Sequence, residues 1–230
     1  MPRRARIAVP GIPWHIIQRG NNRSTCFHAP KDYRCYLATL REQAEKHGCS
    51  IHAYVLMTNH VHLLLTPVRE DSAALLMKHL GQRYVQYFNR SYRRTGTLWE
   101  GRFRSCLARD PQYVLGCYRY IELNPVRAGM VRHPGEYLWS SYHANARGVC
   151  DPLITPHEDY RRLGRSDTER RASYEELFVS RLDPEIVAGI RRATNGNYVL
   201  GPEQFQREIA RMLQRRVVPG KSGRPTKLDQ

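Results

Sequence analysis

Two stretches rich in β-forming residues, Ile51 to Met57 and His60 to Thr66, are joined by Thr58-Asn59 alone. So short a connection turns the second stretch back along the first, and the pair reads as a tight antiparallel hairpin. The second strand opens His60-Val61-His62. Alternate residues of a strand project to the same side, so both imidazoles share one face while Val61 points to the core. Two imidazoles placed in this way can reach one cation, although ordinary hydrogen-bonded histidines are the plain alternative. The run continues Leu63-Leu64-Leu65 and lacks the further aspartate and histidine of a binuclear hydrolase site, so a third ligand has to come from elsewhere.

The neighbouring segments supply a frame for this hairpin. Trp14-His-Ile-Ile-Gln-Arg19 reads as a first strand, closed by the polar loop Gly20-Asn-Asn-Arg23. Pro30 opens a helix in which Tyr33, Tyr36, Leu37, Leu40 and Ala44 recur at helical spacing until His47-Gly48. A long helix over about Asp71 to Tyr92 carries Leu76, Leu80, Tyr84 and Phe88, and a further strand is expected over Leu98 to Leu107. Asp110-Pro111 pairs an N-cap acid with proline at the first helical position, and the helix it starts is expected to end near Asn124-Pro125. Residues 13 to 125 thus read strand, helix, strand, strand, helix, strand, helix, an α+β chain with a ferredoxin-like antiparallel sheet and packed helices.

Beyond about Pro134 strand signals fade and paired arginines appear at 161-162, 170-171, 191-192 and 215-216. Helices are expected around 168 to 180, 184 to 194 and 202 to 216. The expected organisation is a core over residues 1–133, a small basic helical DNA-binding extension over 134–220 and a flexible basic tail over 221–230. A net charge of +16 points to a polyanionic partner, because neutralised phosphates release condensed counterions. No apolar run approaches the roughly 20 residues that span a bilayer, and Met1-Pro-Arg-Arg-Ala-Arg6 is not followed by an apolar signal core. The six cysteines form no Cys-x-x-Cys pair and read as reduced thiols. A cytoplasmic, nucleoid-associated protein without membrane contact is the expectation.

On the helix from Asp110, Tyr113, Cys117, Tyr120 and Asn124 share one face, while Val114, Tyr118 and Ile121 make a more apolar one. Two tyrosine and partner pairs compete, Tyr118 with Glu122 and Tyr120 with Asn124. The second is preferred because Tyr118 lies among expected core residues. Asn124, before a proline, either turns its amide out toward a cation or caps the helix. Arg19, Asn21, Asn22 and Arg23 either combine phosphate-pairing guanidinium groups with base-reading amides or form a plain polar turn, and Arg102 and Arg104, expected on one strand face, either hold a DNA backbone or are ordinary exposed charges. Trp99 and Phe103 are expected in the core. Gly223-Arg224-Pro225 reads as a minor-groove hook or as solvated tail.

Three segments carry a family resemblance: Met57-Thr-Asn-His-Val-His62, Trp99-Glu-Gly-Arg-Phe-Arg-Ser105 and Tyr120-Ile-Glu-Leu-Asn-Pro-Val-Arg-Ala-Gly129. They resemble the single-tyrosine HUH transposases, and within them the bacterial branch associated with repetitive extragenic palindromes (REPs), over about residues 10 to 145. The resemblance implies that His60 and His62 are metal ligands for Mg²⁺ or Mn²⁺. It implies that Tyr120 is the nucleophile, forming a 5′-phosphotyrosine and releasing a 3′-hydroxyl. Asn124 stands where many relatives carry glutamine as third ligand, and Arg127 joins the expected DNA contacts. The implied partner is a single-stranded DNA hairpin, bound by a monomer or homodimer. The rival expectation is a DNA-binding regulator on the same scaffold that does not cut.

Overall fold

Alternation along Trp14–Arg19 places Trp14, Ile16 and Gln18 on one side and His15, Ile17 and Arg19 on the other. In the structure, a computed structural model that describes residues 6–220, this segment is the central strand β1. β2 (Cys49–Met57) and β3 (His60–Pro67) form the expected hairpin with Met57 opposite His60, and β3 then pairs antiparallel with β1. β4 (Arg104–Ala108) pairs antiparallel with the other edge of β1, and the two-residue β5 (Val199–Leu200) adds in parallel to β4. The sheet order is β2-β3-β1-β4-β5. The first four strands therefore have the interleaved order of a ferredoxin-like sheet.

Helices α1 (Pro30–His47) and α2 (Ser72–Ser91) cover the side carrying Trp14, Ile16, Val61, Leu63 and Leu65. Pro30 sits in the first turn of α1, and Gly48 closes that helix in the left-handed conformation at φ 62°. The Asp32 carboxylate accepts the backbone N–H groups of His28 and Ala29 at 2.8 and 2.9 Å, satisfying orphan donors at the helix start. It also accepts the hydroxyls of Tyr87 and Tyr92 at 2.8 and 2.7 Å, which ties α1 to the end of α2.

The other side of the sheet is covered by α3 (Pro111–Glu122) and by elements that follow it. These are α4 (Asn124–Arg127), α5 (Tyr142–Asn145), α6 (Glu158–Arg161), α7 (Asp167–Glu176) and α8 (Pro184–Gly196), whereas α9 (Glu203–Met212) buries Phe205 and Ile209 in the core shared with α1 and α2. Leu64, Cys106 and Ala108 from the sheet pack there against Val114, Cys117 and Ile121 of α3 and Ile190 and Ala193 of α8. The Leu56 N–H also donates to the Trp139 carbonyl at 2.9 Å, so the chain beyond residue 134 is bonded to β2 as well.

The structure departs from the expected elements at three places. The fourth strand starts at Arg104, not Leu98, because Gly101 adopts φ 102° and, among the described residues, the segment before it makes a single isolated bridge, Trp99 to Gly20. Arg102 therefore lies outside the strand and owes nothing to strand alternation with Arg104. The helix over Tyr120 ends at Glu122, close to the expected Asn124-Pro125, but an unexpected short helix, α4, follows it directly. Leu123 caps α3 in a turn, and Pro125 occupies the first turn of α4, where its missing N–H is not needed. Finally, the segment beyond 134 contributes β5 in addition to helices. The 221–230 tail and the Gly223-Arg224-Pro225 motif lie outside the described residues. Among the described residues no helix is long and apolar enough to cross a membrane, and all six cysteines are free thiols.

Candidate active site

The register of β3 sends His60, His62 and Leu64 to the α3 and α8 side of the sheet and Val61 to the opposite core. The two imidazole centres are 5.1 Å apart. Tyr120 descends onto them from α3, its ring edge-on to His62 at 5.6 Å between centres. One turn later Asn124 donates its Nδ2 to the Tyr120 carbonyl at 3.4 Å, and its side chain lies in hydrogen-bonding reach of His60. The Arg127 guanidinium sits over the Tyr120 ring, 4.6 Å from its centre. All five residues line one cavity of about 310 Å³, which also meets Arg191, Thr194 and Asn195 of α8. The competing pair goes elsewhere: Tyr118 is fully buried with its hydroxyl accepting the His157 N–H at 3.2 Å, and the Glu122 carboxylate is enclosed by Ser141, Asn145 and Tyr174.

Burial keeps both imidazoles neutral. It pushes His60 down to about 4, with the Arg19 charge adding to the effect, and holds His62 well below its ordinary value. Asn59 donates its Nδ2 to the Arg23 carbonyl at 3.1 Å, so its oxygen faces His60 Nδ1, 2.6 Å away. His60 Nδ1 must then carry the proton. His62 Nδ1 is engaged in turn, by His15 Nε2 at 2.8 Å. In each ring Nε2 is left with its lone pair, the arrangement in which a metal-binding imidazole is anchored through its other nitrogen.

Among the described residues no cluster of three His, Cys, Asp or Glu side chains suits a metal. A cation at this pair would take its third protein donor from an amide, and the Asn124 side chain is the amide in place. Two imidazoles and one amide oxygen fit a divalent ion that draws its remaining ligands from water and phosphate oxygens.

Arg19 borders both this cavity and an adjoining one of about 280 Å³, which Arg23, Arg102 and Arg104 also line. Among the described residues none of these arginines, nor Arg127, takes part in a salt bridge. Arg104 is braced by donating to Asn195 Oδ1 at 2.9 Å. Asn21 and Asn22 do not join that cavity: the Asn21 N–H donates to the Leu98 carbonyl at 2.8 Å, and Asn22 is exposed in a left-handed turn. Trp99 and Phe103 are buried, as expected. His15, Thr194 and Asn195 are site residues that no motif marks. His15 is one member of an alternating strand, and nothing in the chain's spacing links it to a helix about 180 residues later.

The comparisons with known proteins bear on the family and the fold. A protein of Haemophilus influenzae described as a REP-associated tyrosine transposase is 25% identical over 128 residues, covering 51% of this chain and 72% of that protein. A solved structure of a REP-associated tyrosine transposase bound to a REP hairpin superposes with a TM-score of 0.54 at 20% identity, covering 68% of this chain and 93% of that one. At that identity the superposition shows a common fold. The family described as "Transposase IS200 like" matches residues 8–124, which run from before β1 through the histidine strand to Asn124. With half of its length matched by that family, and the site lying within or beside the matched half, the chain belongs to the IS200-like transposases.

Proposed function

We propose that this transposase cuts and rejoins single-stranded DNA beside palindromic hairpins, with Tyr120 as the nucleophile. The observation that carries the proposal is the placement of the Tyr120 ring against His62 in the cavity shared with His60, Asn124 and Arg127. The Tyr120 oxygen attacks the phosphorus of the scissile linkage, and the bond from phosphorus to the 3′-oxygen breaks. The 5′-phosphate stays on Tyr120 and the departing strand takes up a proton as a 3′-hydroxyl. Attack by another 3′-hydroxyl reverses the step and joins a new strand. A divalent ion, Mg²⁺ or Mn²⁺, held by His60, His62 and the Asn124 amide would offset charge on the phosphate oxygens. Arg127 stabilises negative charge as the phenol ionises and holds the ring by its face.

Arg19, Arg23, Arg102 and Arg104 hold the DNA backbone next to the cut, with Asn21 and Asn22 at the rim of the same loop. The basic segment 134–220 adds DNA contacts, and the protein works at the nucleoid. Likeness to the REP-associated transposase of H. influenzae and to the hairpin-bound structure supports a REP hairpin as substrate.

The test is direct. The protein is incubated with hairpin-bearing single-stranded oligonucleotides and Mn²⁺, and covalent adducts are resolved by denaturing electrophoresis. Wild type and Tyr118→Phe are expected to form the adduct and Tyr120→Phe to lose it. An adduct that persists in Tyr120→Phe overturns the assignment, and hairpin binding without adduct by wild type favours a regulator that does not cut.

A further inference from the structure

We propose that His15 of β1 and Thr194 of α8 form a positioning relay that fixes the tautomer and ring orientation of His62, so that the chain beyond residue 134 helps to build the ion-binding site. The role given to the site rests on the proposed function above; the relay itself rests on four contacts. The Thr194 hydroxyl is 2.7 Å from the Ile190 carbonyl, which can only accept, so its single proton is spent there. His15 Nδ1 lies 2.9 Å from the same hydroxyl and must therefore be the donor. Cys106 Sγ, 3.2 Å away, can use the remaining lone pair.

A neutral imidazole carries one N–H, so His15 Nε2 is left as an acceptor. Its partner at 2.8 Å is His62 Nδ1, which must donate, and His62 Nε2 is thereby left with its lone pair. The two ring planes are parallel to within 1°, and with the centres 5.1 Å apart and the nitrogens 2.8 Å apart the rings lie end to end, as an in-plane N–H···N bond requires. His15 and Thr194 are 1% and 3% exposed, so solvent does not compete for these partners. His15 also packs edge-on against Tyr120 at 5.6 Å, and a displaced His15 ring would disturb the nucleophile as well.

A buried pair that serves packing alone would tolerate either tautomer. The relay demands one. Side-chain ¹⁵N NMR of the metal-free protein is expected to show both His15 and His62 protonated at Nδ1. Wild-type His62 protonated at Nε2 overturns the relay, and this measurement needs no variant. Thr194→Val keeps the shape and removes the hydroxyl; it is expected to mix the tautomers and to weaken Mn²⁺ binding roughly 10- to 100-fold, the usual cost of losing a group that orients a ligand. Thr194→Ser is expected to restore both. Unchanged tautomers and Mn²⁺ affinity in a folded Thr194→Val protein overturn the proposal. The two ideas fail separately. Wild type with the expected tautomers but no Mn²⁺ binding removes the ion site and leaves the relay; Mn²⁺ binding with other tautomers does the reverse.

Discussion

Arg127 occupies a position where charge and shape can be told apart. Its guanidinium lies over the face of Tyr120, not in a salt bridge, and with Arg19 it contributes to the field that keeps His62 neutral. A cation over an aromatic face contributes about 0.5–2 kcal/mol, and negative charge building on the phenol oxygen strengthens that attraction. Arg127→Ala is therefore expected to slow adduct formation about tenfold in single-turnover assays, since 1.36 kcal/mol corresponds to a factor of ten. Arg127→Lys is expected to recover only part, because an ammonium keeps the charge but not the planar stack. Hairpin affinity, measured by fluorescence anisotropy, is expected to change less than the rate. A loss confined to affinity would instead make Arg127 a DNA contact.

The loop after β1 joins the proposed DNA contacts to the histidine strand through a single glycine. A Cβ on Gly20 would stand 2.3 Å from the Ser24 carbonyl oxygen and 2.6 Å from Cys26 Sγ, closer than real contacts allow. The loop is laced to the hairpin turn by Gly20 N–H to the Asn59 carbonyl at 2.9 Å and Cys26 N–H to the Thr58 carbonyl at 2.7 Å. Asn59 in turn bridges the Arg23 carbonyl and His60 Nδ1. Gly20→Ala is expected to cost about 1–3 kcal/mol of stability as an overpacking change, and to weaken both Mn²⁺ and hairpin binding. Thermal denaturation with Mn²⁺ and hairpin titrations checks this, and intact binding by the variant would sink the coupling. The hairpin was legible because a two-residue link admits one pairing, and α1 because Pro30 and Gly48 punctuate it. The start of β4 was not legible, since Trp99 and Phe103 look like strand while one left-handed turn at Gly101 breaks it. Nor was β5, too short for any period, or the bond from His15 to Thr194, which only the closed fold creates.

Across the whole molecule, one buried carboxyl fastens the helix carrying Tyr120 to the segments beyond residue 134. Glu122 accepts from Ser141 Oγ at 2.6 Å, Asn145 Nδ2 at 2.8 Å and the Tyr174 hydroxyl at 2.7 Å, and Asn145 also donates to the His52 carbonyl of β2 at 3.2 Å. Burial raises its pKa from 4.5 to about 7, even though all three partners favour the ionised form. A raised pKa means that folding favours the protonated acid. That contribution is fully present below pH 4.5 and is lost as pH rises through about 7. At 1.36 kcal/mol per unit, the shift amounts to on the order of 3 kcal/mol. Glu122→Gln replaces the acid by a neutral group of the same shape, and either partner hydroxyl can turn to accept from its amide. The variant is thus expected to gain stability relative to wild type as pH rises from 5 to 8. Urea denaturation of both proteins at matched ionic strength measures the difference, and titration of the histidines cancels between them. A difference that stays flat over that range would show that Glu122 does not change protonation there. A difference that grows would mean that the joint between α3 and the segments beyond residue 134 is held by an uncharged acid, and that it loosens when that acid ionises.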